Sequence, residues 1–143
     1  MTNIREISKV DIASAQLDTA IQFYLDKSDL VSAVTLAGAA EEILGKLVSQ
    51  KGKINAFEEV LNNLCEMHEA AFNEEPNRKK YAKLQNGVRN EFKHICSGEA
   101  LEVNLDNETS EMIERAIINY RKLFPGFYPR FKEFERANLK RHD

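Results

Sequence analysis

The residues best suited to chemistry lie together in Arg89-Asn90-Glu91-Phe92-Lys93-His94. Arginine supplies a fixed positive charge in a planar fork that matches phosphate oxygens. Histidine is the side chain best able to exchange a proton near pH 7. A guanidinium close by favours the neutral, basic form of the imidazole. Asn90 can orient either partner by hydrogen bonding. On an ideal helix, a separation of five gives about 140° of rotation and about 7.5 Å of rise. The apolar stripe of this helix falls on the far side, so Arg89 and His94 are expected as solvent-facing flanks. Their side chains could converge on a phosphate lying along the helix, with a second subunit able to complete the site. Such a pair could cleave RNA without a metal. His94 would activate a ribose 2′-hydroxyl, and Arg89 would stabilise the charge that builds on the phosphate.

Spacing alone does not single out this pair. Arg136 and His142 show a similar separation in the charged tail, where a solvated surface is the simpler reading. Other chemistries find less support. There is no Gly-rich phosphate loop, no Gly-x-Ser-x-Gly elbow and no His-Glu-x-x-His zinc motif. Cys65-x-x-His68 and His94-x-Cys96 together offer four ligands of the zinc type. Residues two apart on a helix, however, point about 200° around the axis. The simpler reading makes both cysteines small core residues and His68 a partly buried helix residue, and no metal or cofactor is expected. Glu41 and Glu42 are adjacent, diverge on a helix and read as surface charge.

The net charge of −3 conceals an asymmetry. Residues 76–96 carry six basic side chains against one acidic, and residues 97–114 carry six acidic and no basic. Arg78, Lys79, Lys80, Lys83 and Lys93 could therefore form a local patch for RNA despite the acidic whole. The N-terminus lacks the apolar run of a secretion signal, and Leu30 to Val48 is interrupted by Glu41, Glu42 and Lys46. A cytoplasmic protein with free thiols and no membrane association is expected.

Helices must position these residues. The chain has 143 residues, only six Gly and three Pro, and abundant Leu, Ala, Glu and Lys. Apolar repeats at three- and four-residue spacing predict helices over about 7–25, 30–50, 55–72, 76–95, 107–123 and 129–140. Ser28 or Asp29 can cap the second helix, Asn55 with Glu58 the third, and Pro76 suits the first position of the fourth. The small segment Ala37-Gly38-Ala39-Ala40 marks the second helix as central, because it lets a neighbour approach closely. Leu101, Val103 and Leu105 alternate, as in a short extended piece or a loop laid over the core. The aromatic turn Phe124-Pro125-Gly126-Phe127-Tyr128-Pro129 is expected to close the bundle. The sum is one all-α domain over 1–143: an up-and-down bundle of four to five helices plus a short C-terminal helix.

With that context, Arg89-Asn90-Glu91-Phe92-Lys93-His94 resembles the hallmark of the HEPN superfamily, Arg-x4–6-His with a polar residue after the Arg. Ala20-Ile21-Gln22-Phe23-Tyr24, Asp29-Leu30-Val31-Ser32-Ala33 and Leu36-Ala37-Gly38-Ala39-Ala40-Glu41-Glu42-Ile43-Leu44 also look like that family, so the likeness spans roughly residues 10–123. The resemblance implies a homodimer whose two motifs face each other. It implies a metal-independent endoribonuclease of toxin–antitoxin, anti-phage or RNA-processing systems, acting with an antitoxin or regulatory partner. Other members are inactive RNA-binding or protein-interaction modules. Arg89 would bind phosphate, His94 act as general base and Asn90 orient, while Glu41 or Glu42 loosely matches a polar position found in some members. Toxins paired with a nucleotidyltransferase antitoxin often continue His-x-Tyr. Here Ile95 and Cys96 follow His94, which puts that pairing in doubt.

Overall fold

The computed structural model describes residues 3–93 and 98–141, with the Lys93 side chain outside the description. Among the described residues there are seven helices and no strand: α1 (Lys9–Asp26), α2 (Leu30–Gln50), α3 (Ala56–Phe72), α4 (Arg78–Gln85), α5 (Gly87–Lys93), α6 (Leu105–Leu123) and α7 (Pro129–Arg141). They form a helical bundle. No described helix is long and apolar enough to cross a membrane.

The core lies where α1, α2 and α6 meet, and α2 packs closely against both neighbours. Leu17, Ile21 and Tyr24 of α1 face Ala33, Ala37, Ala40 and Leu44 of α2 and Met112, Ile113, Ala116 and Ile117 of α6. The alanines account for this order, because small side chains let a helix serve two neighbours at once. α7 closes one flank through Phe131 and Phe134 against α1. On the other flank α3 packs on α6 and α4, and α5 returns to α2.

Helix ends follow local chemistry. Ser8, Asp29, Asn55, Asn77 and Asn104 each accept a backbone N–H in the first turn of the helix that follows. The hydrogen bonds from Ser32 hold the Asp29 carboxyl below its ordinary pKa. Gly52 ends the α2 region with φ +75°, a conformation that favours glycine. Several expected boundaries shift by a few residues. α1 starts at Lys9, leaving Ile7 exposed. Asn77, not Pro76, stands at the start of α4, with Pro76 just outside it. α6 starts at Leu105 because Asn104 caps it ahead of the expected Asn107. Residues 99–104 form neither strand nor helix, and Leu101 is exposed rather than laid on the core.

The main departure is the fourth helix, expected as one piece from about 76 to 95. It breaks at Asn86. The Asn86 N–H closes α4 on the Ala82 carbonyl at 3.2 Å, and its own carbonyl accepts from Asn90 N at 3.0 Å to open α5. Asn86 and Gly87 are both weak helix formers, so the break is locally cheap. Of the stripe expected in the core, Tyr81, Leu84, Val88, Phe92 and Ile95, the last lies outside the described residues; none of the other four is fully buried, and Leu84 is exposed.

The aromatic turn divides. Tyr120, Tyr128 and Phe131 pack edge-on or tilted at centroid distances of 5.1–5.3 Å, and the Tyr128 hydroxyl donates to the Phe124 carbonyl at 2.7 Å. Phe127 stays exposed.

Asn119 joins the two flanks. It is fully buried on α6. Its Oδ1 accepts from Ala56 N at 2.8 Å, at the start of α3, and its Nδ2 donates to the Glu41 carbonyl at 3.3 Å. Asn119→Ala leaves two buried backbone groups without these partners and is expected to cost about 2–3 kcal/mol. Chemical denaturation measures this; a loss below about 0.5 kcal/mol, the range of neutral surface changes, contradicts the linking role.

Candidate functional site

The break at Asn86 directs Arg89 toward α2. Its Nη1 donates to Glu41 Oε2 at 2.9 Å, and its side chain is only 13% exposed. The expectation of a solvent-facing Arg89 is therefore corrected: the guanidinium is turned in against a carboxylate. The surface reading of Glu41 is corrected with it, since Glu41 is 3% exposed. Glu42 keeps the expected position near the surface, 3.6 Å from Lys46 one turn on.

Close approach is possible because residue 38 has no side chain. A Cβ on Gly38 would meet Arg89 Cδ at 2.7 Å and Cγ at 3.0 Å. The small segment on α2 thus accommodates an arginine stem, not only a helix backbone. Gly38→Ala gains about 1 kcal/mol of helix propensity. It also crowds a mid-chain segment that the ion pair holds in place, which costs about 1–3 kcal/mol. Thermal unfolding is expected to show net destabilisation; a rise in Tm would mean that Arg89 moves aside freely.

A second guanidinium shares the carboxylate. Arg115 of α6 lies 3.2 Å from Glu41 through Nη2, donates to Asn86 Oδ1 at 3.1 Å, and sits 5.0 Å from the Phe57 ring centroid. Nε of Arg89 and Nε of Arg115 are buried and have no hydrogen-bond partner among the described residues. Against this cluster lies a cleft of about 140 Å³ lined by Glu41, Glu42, Gly45, Lys46, Asn55, Phe57, Asn86 and Arg89. Asn55 Nδ2, which donates to the Gly45 carbonyl, forms part of its rim. Nearby on α6, burial raises the Glu108 pKa and Glu111 adds to the rise, while Arg115 pulls the other way.

Arg115 was not singled out from the sequence and Glu41 was read as surface charge, although a signal was present. Met112, Arg115, Ala116 and Asn119 share one face at helical spacing, as do Ala37, Glu41, Leu44 and Val48. Each set puts a charge in an otherwise buried stripe. An ion with that placement needs a buried partner.

The remaining candidates scatter. Asn90 is exposed. His94 lies outside the described residues, as do Cys96 and His142. Arg136 is exposed. Arg78 is engaged in the fold, bonding Glu58 and Asn62 of α3. Lys79, Lys80 and Lys83 are exposed on α4. His68 is 17% exposed, with Nδ1 2.7 Å from the Tyr81 hydroxyl and Nε2 3.0 Å from Glu74. Both ring nitrogens are thus engaged, and no group of three or more metal-binding side chains occurs among the described residues.

The cluster holds the Arg89 guanidinium at the edge of a cleft with Nη1 bonded to Glu41, and the further N–H donors of a guanidinium suit an oxyanion. Removing its carboxylate strands two buried cations. Glu41→Leu is accordingly expected to destabilise by about 3–5 kcal/mol in chemical denaturation; a variant as stable as the parent would show that the ion pairs do not hold the fold. No family model, curated protein or solved structure matches the chain.

Proposed function

We propose that the chain is a HEPN-type, metal-independent endoribonuclease that acts as a homodimer, with Arg89 and His94 of each copy forming the site. The observation that carries this reading is Arg89 itself. It comes from the one segment of the sequence with an Arg-x4-His pattern, lines a cleft, and keeps a buried Nε without a partner among the described residues.

The chemistry is as follows. His94 removes the proton of a ribose 2′-hydroxyl. The 2′ oxygen attacks the adjacent phosphorus, a 2′-O–P bond forms, and the P–O5′ bond breaks. The departing 5′ oxygen takes a proton from a protonated His94 across the dimer. The products are a 2′,3′-cyclic phosphate and a 5′-hydroxyl. Arg89 stabilises the charge on the non-bridging oxygens, the group on which charge grows. Lys79, Lys80 and Lys83 attract the backbone of the RNA from α4. The exposed Asn90 contacts RNA or the second copy rather than Arg89. Toxin–antitoxin, anti-phage or RNA-processing systems are the settings in which such an enzyme works, with an antitoxin or regulator as its partner.

One observation favours a second reading. Glu41 neutralises Arg89 and ties α5 to α2, a use that the fold alone would require. The chain would then be an inactive HEPN-like dimer that binds RNA or protein.

Purified protein incubated with a broad RNA panel in excess chelator separates the two. Cleavage is expected, leaving 2′,3′-cyclic phosphate ends, and His94→Ala should reduce it by about 100-fold or more with an unchanged circular dichroism spectrum. A parent protein that cuts no RNA removes the ribonuclease reading and leaves the binding module.

A further inference from the structure

The two arginines around Glu41 are not equivalent. Arg115 is anchored three ways: to Glu41 at 3.2 Å, to Asn86 Oδ1 at 3.1 Å, and over the Phe57 ring at 5.0 Å. Its side chain is 8% exposed. Arg89 has Glu41 as its polar partner among the described residues, and it is the arginine that lines the cleft. Each guanidinium uses a different carboxylate oxygen: Arg89 takes Oε2 and Arg115 takes Oε1. One contact can therefore break while the other stays.

This division matters when a phosphate arrives. An arginine paired with a single buried carboxylate is hard to release, because departure strands that carboxylate in a medium of low dielectric. A second, fixed guanidinium removes much of that penalty. We propose that Glu41 and Arg115 are positioning residues for Arg89. Glu41 holds Arg89 at the cleft before the ligand binds, and Arg115 keeps Glu41 paired once Arg89 turns to a phosphate oxygen. The proposal rests on the ribonuclease reading for its RNA substrate, but its ligand chemistry, an oxyanion at Arg89, is testable without cleavage. Charges close to the pair include Glu42 and Lys46 at the cleft rim and Glu108 on α6, so Arg115 acts by where it is fixed as well as by its charge.

The test titrates inorganic phosphate into the full chain by calorimetry at constant ionic strength, alongside kcat and KM on a cleaved RNA. Arg115→Met leaves Glu41 and Arg89 as a one-to-one pair. Phosphate affinity is expected to fall about 10-fold, equivalent to about 1.4 kcal/mol. KM for RNA should rise in parallel, and Arg115→Lys should restore much of both. Asn86→Ala loosens Arg115 without changing any charge; it should weaken phosphate binding by a smaller factor and serves if Arg115→Met does not fold. A merely structural Arg115 would lower Tm and leave the affinity of the folded protein unchanged. Unchanged phosphate affinity in a folded Arg115→Met or Asn86→Ala variant overturns the proposal, as does a parent protein that binds no phosphate. If the parent binds phosphate in an Arg115-dependent way but cuts no RNA, the positioning role stands and the ribonuclease reading falls. If it cuts RNA and Arg115→Met changes neither KM nor phosphate affinity, the reverse holds.

Discussion

One carboxylate, Glu41, is shared by two guanidiniums that enter from different helices. Much of the flank bearing α3, α4 and α5 depends on this contact. Arg115 reaches it from α6 and Arg89 from α5, so α2 is tied by charge to one helix against which it packs extensively and to one that it touches only briefly. The backbone carbonyl of the same Glu41 accepts from Asn119, which also receives the first N–H of α3. Side chain and backbone of one residue therefore connect the apolar core to the polar flank. A buried ion set is a poor source of net stability against an apolar replacement. Its value lies in orientation: it determines where α5 lies, and with it where Arg89 ends.

The geometry explains the small segment of α2. Alanines at 33, 37 and 40 bring α1 and α6 close, as the sequence suggests. Gly38 serves the opposite purpose, since the empty volume beside it holds the stem of Arg89. A single Ala-Gly-Ala-Ala run thus meets two demands, helix packing on one side and a buried arginine on the other. Only the first could be inferred from periodicity.

The same contrast runs through the chain. Stripes such as Leu17, Ile21 and Tyr24, or Ile113, Ala116 and Ile117, were legible because burial repeats with the helical turn. Caps such as Asp29 and Asn55 were legible because their chemistry is local. The break at Asn86 was not, because its cause lies partly in another helix: the Asn86 side chain accepts from Arg115, 29 residues away. Arg89 was found but given the wrong face for a related reason. The apolar stripe assigned to helix 4 assumed one continuous helix, and a break of one residue rotates everything after it. Glu41 was read as surface charge and Arg115 was not singled out, although each stood within a buried stripe.

The inward Arg89 also alters how it would meet a phosphate. A free surface arginine would meet RNA with its whole fork and with little constraint on direction. An arginine already bonded through Nη1 presents what remains of its donors in a direction that Glu41 sets. Such restriction lowers affinity for phosphate in general and favours the one geometry in which phosphate oxygens reach those donors. That bias suits catalysis, where interactions made only as charge develops accelerate the reaction and interactions made equally with the substrate do not. It also separates the two functional readings in physical terms. In an inactive module Glu41 is the final partner of Arg89. In an enzyme Glu41 is a temporary partner, and a fixed Arg115 is what makes a temporary partner affordable in a buried site.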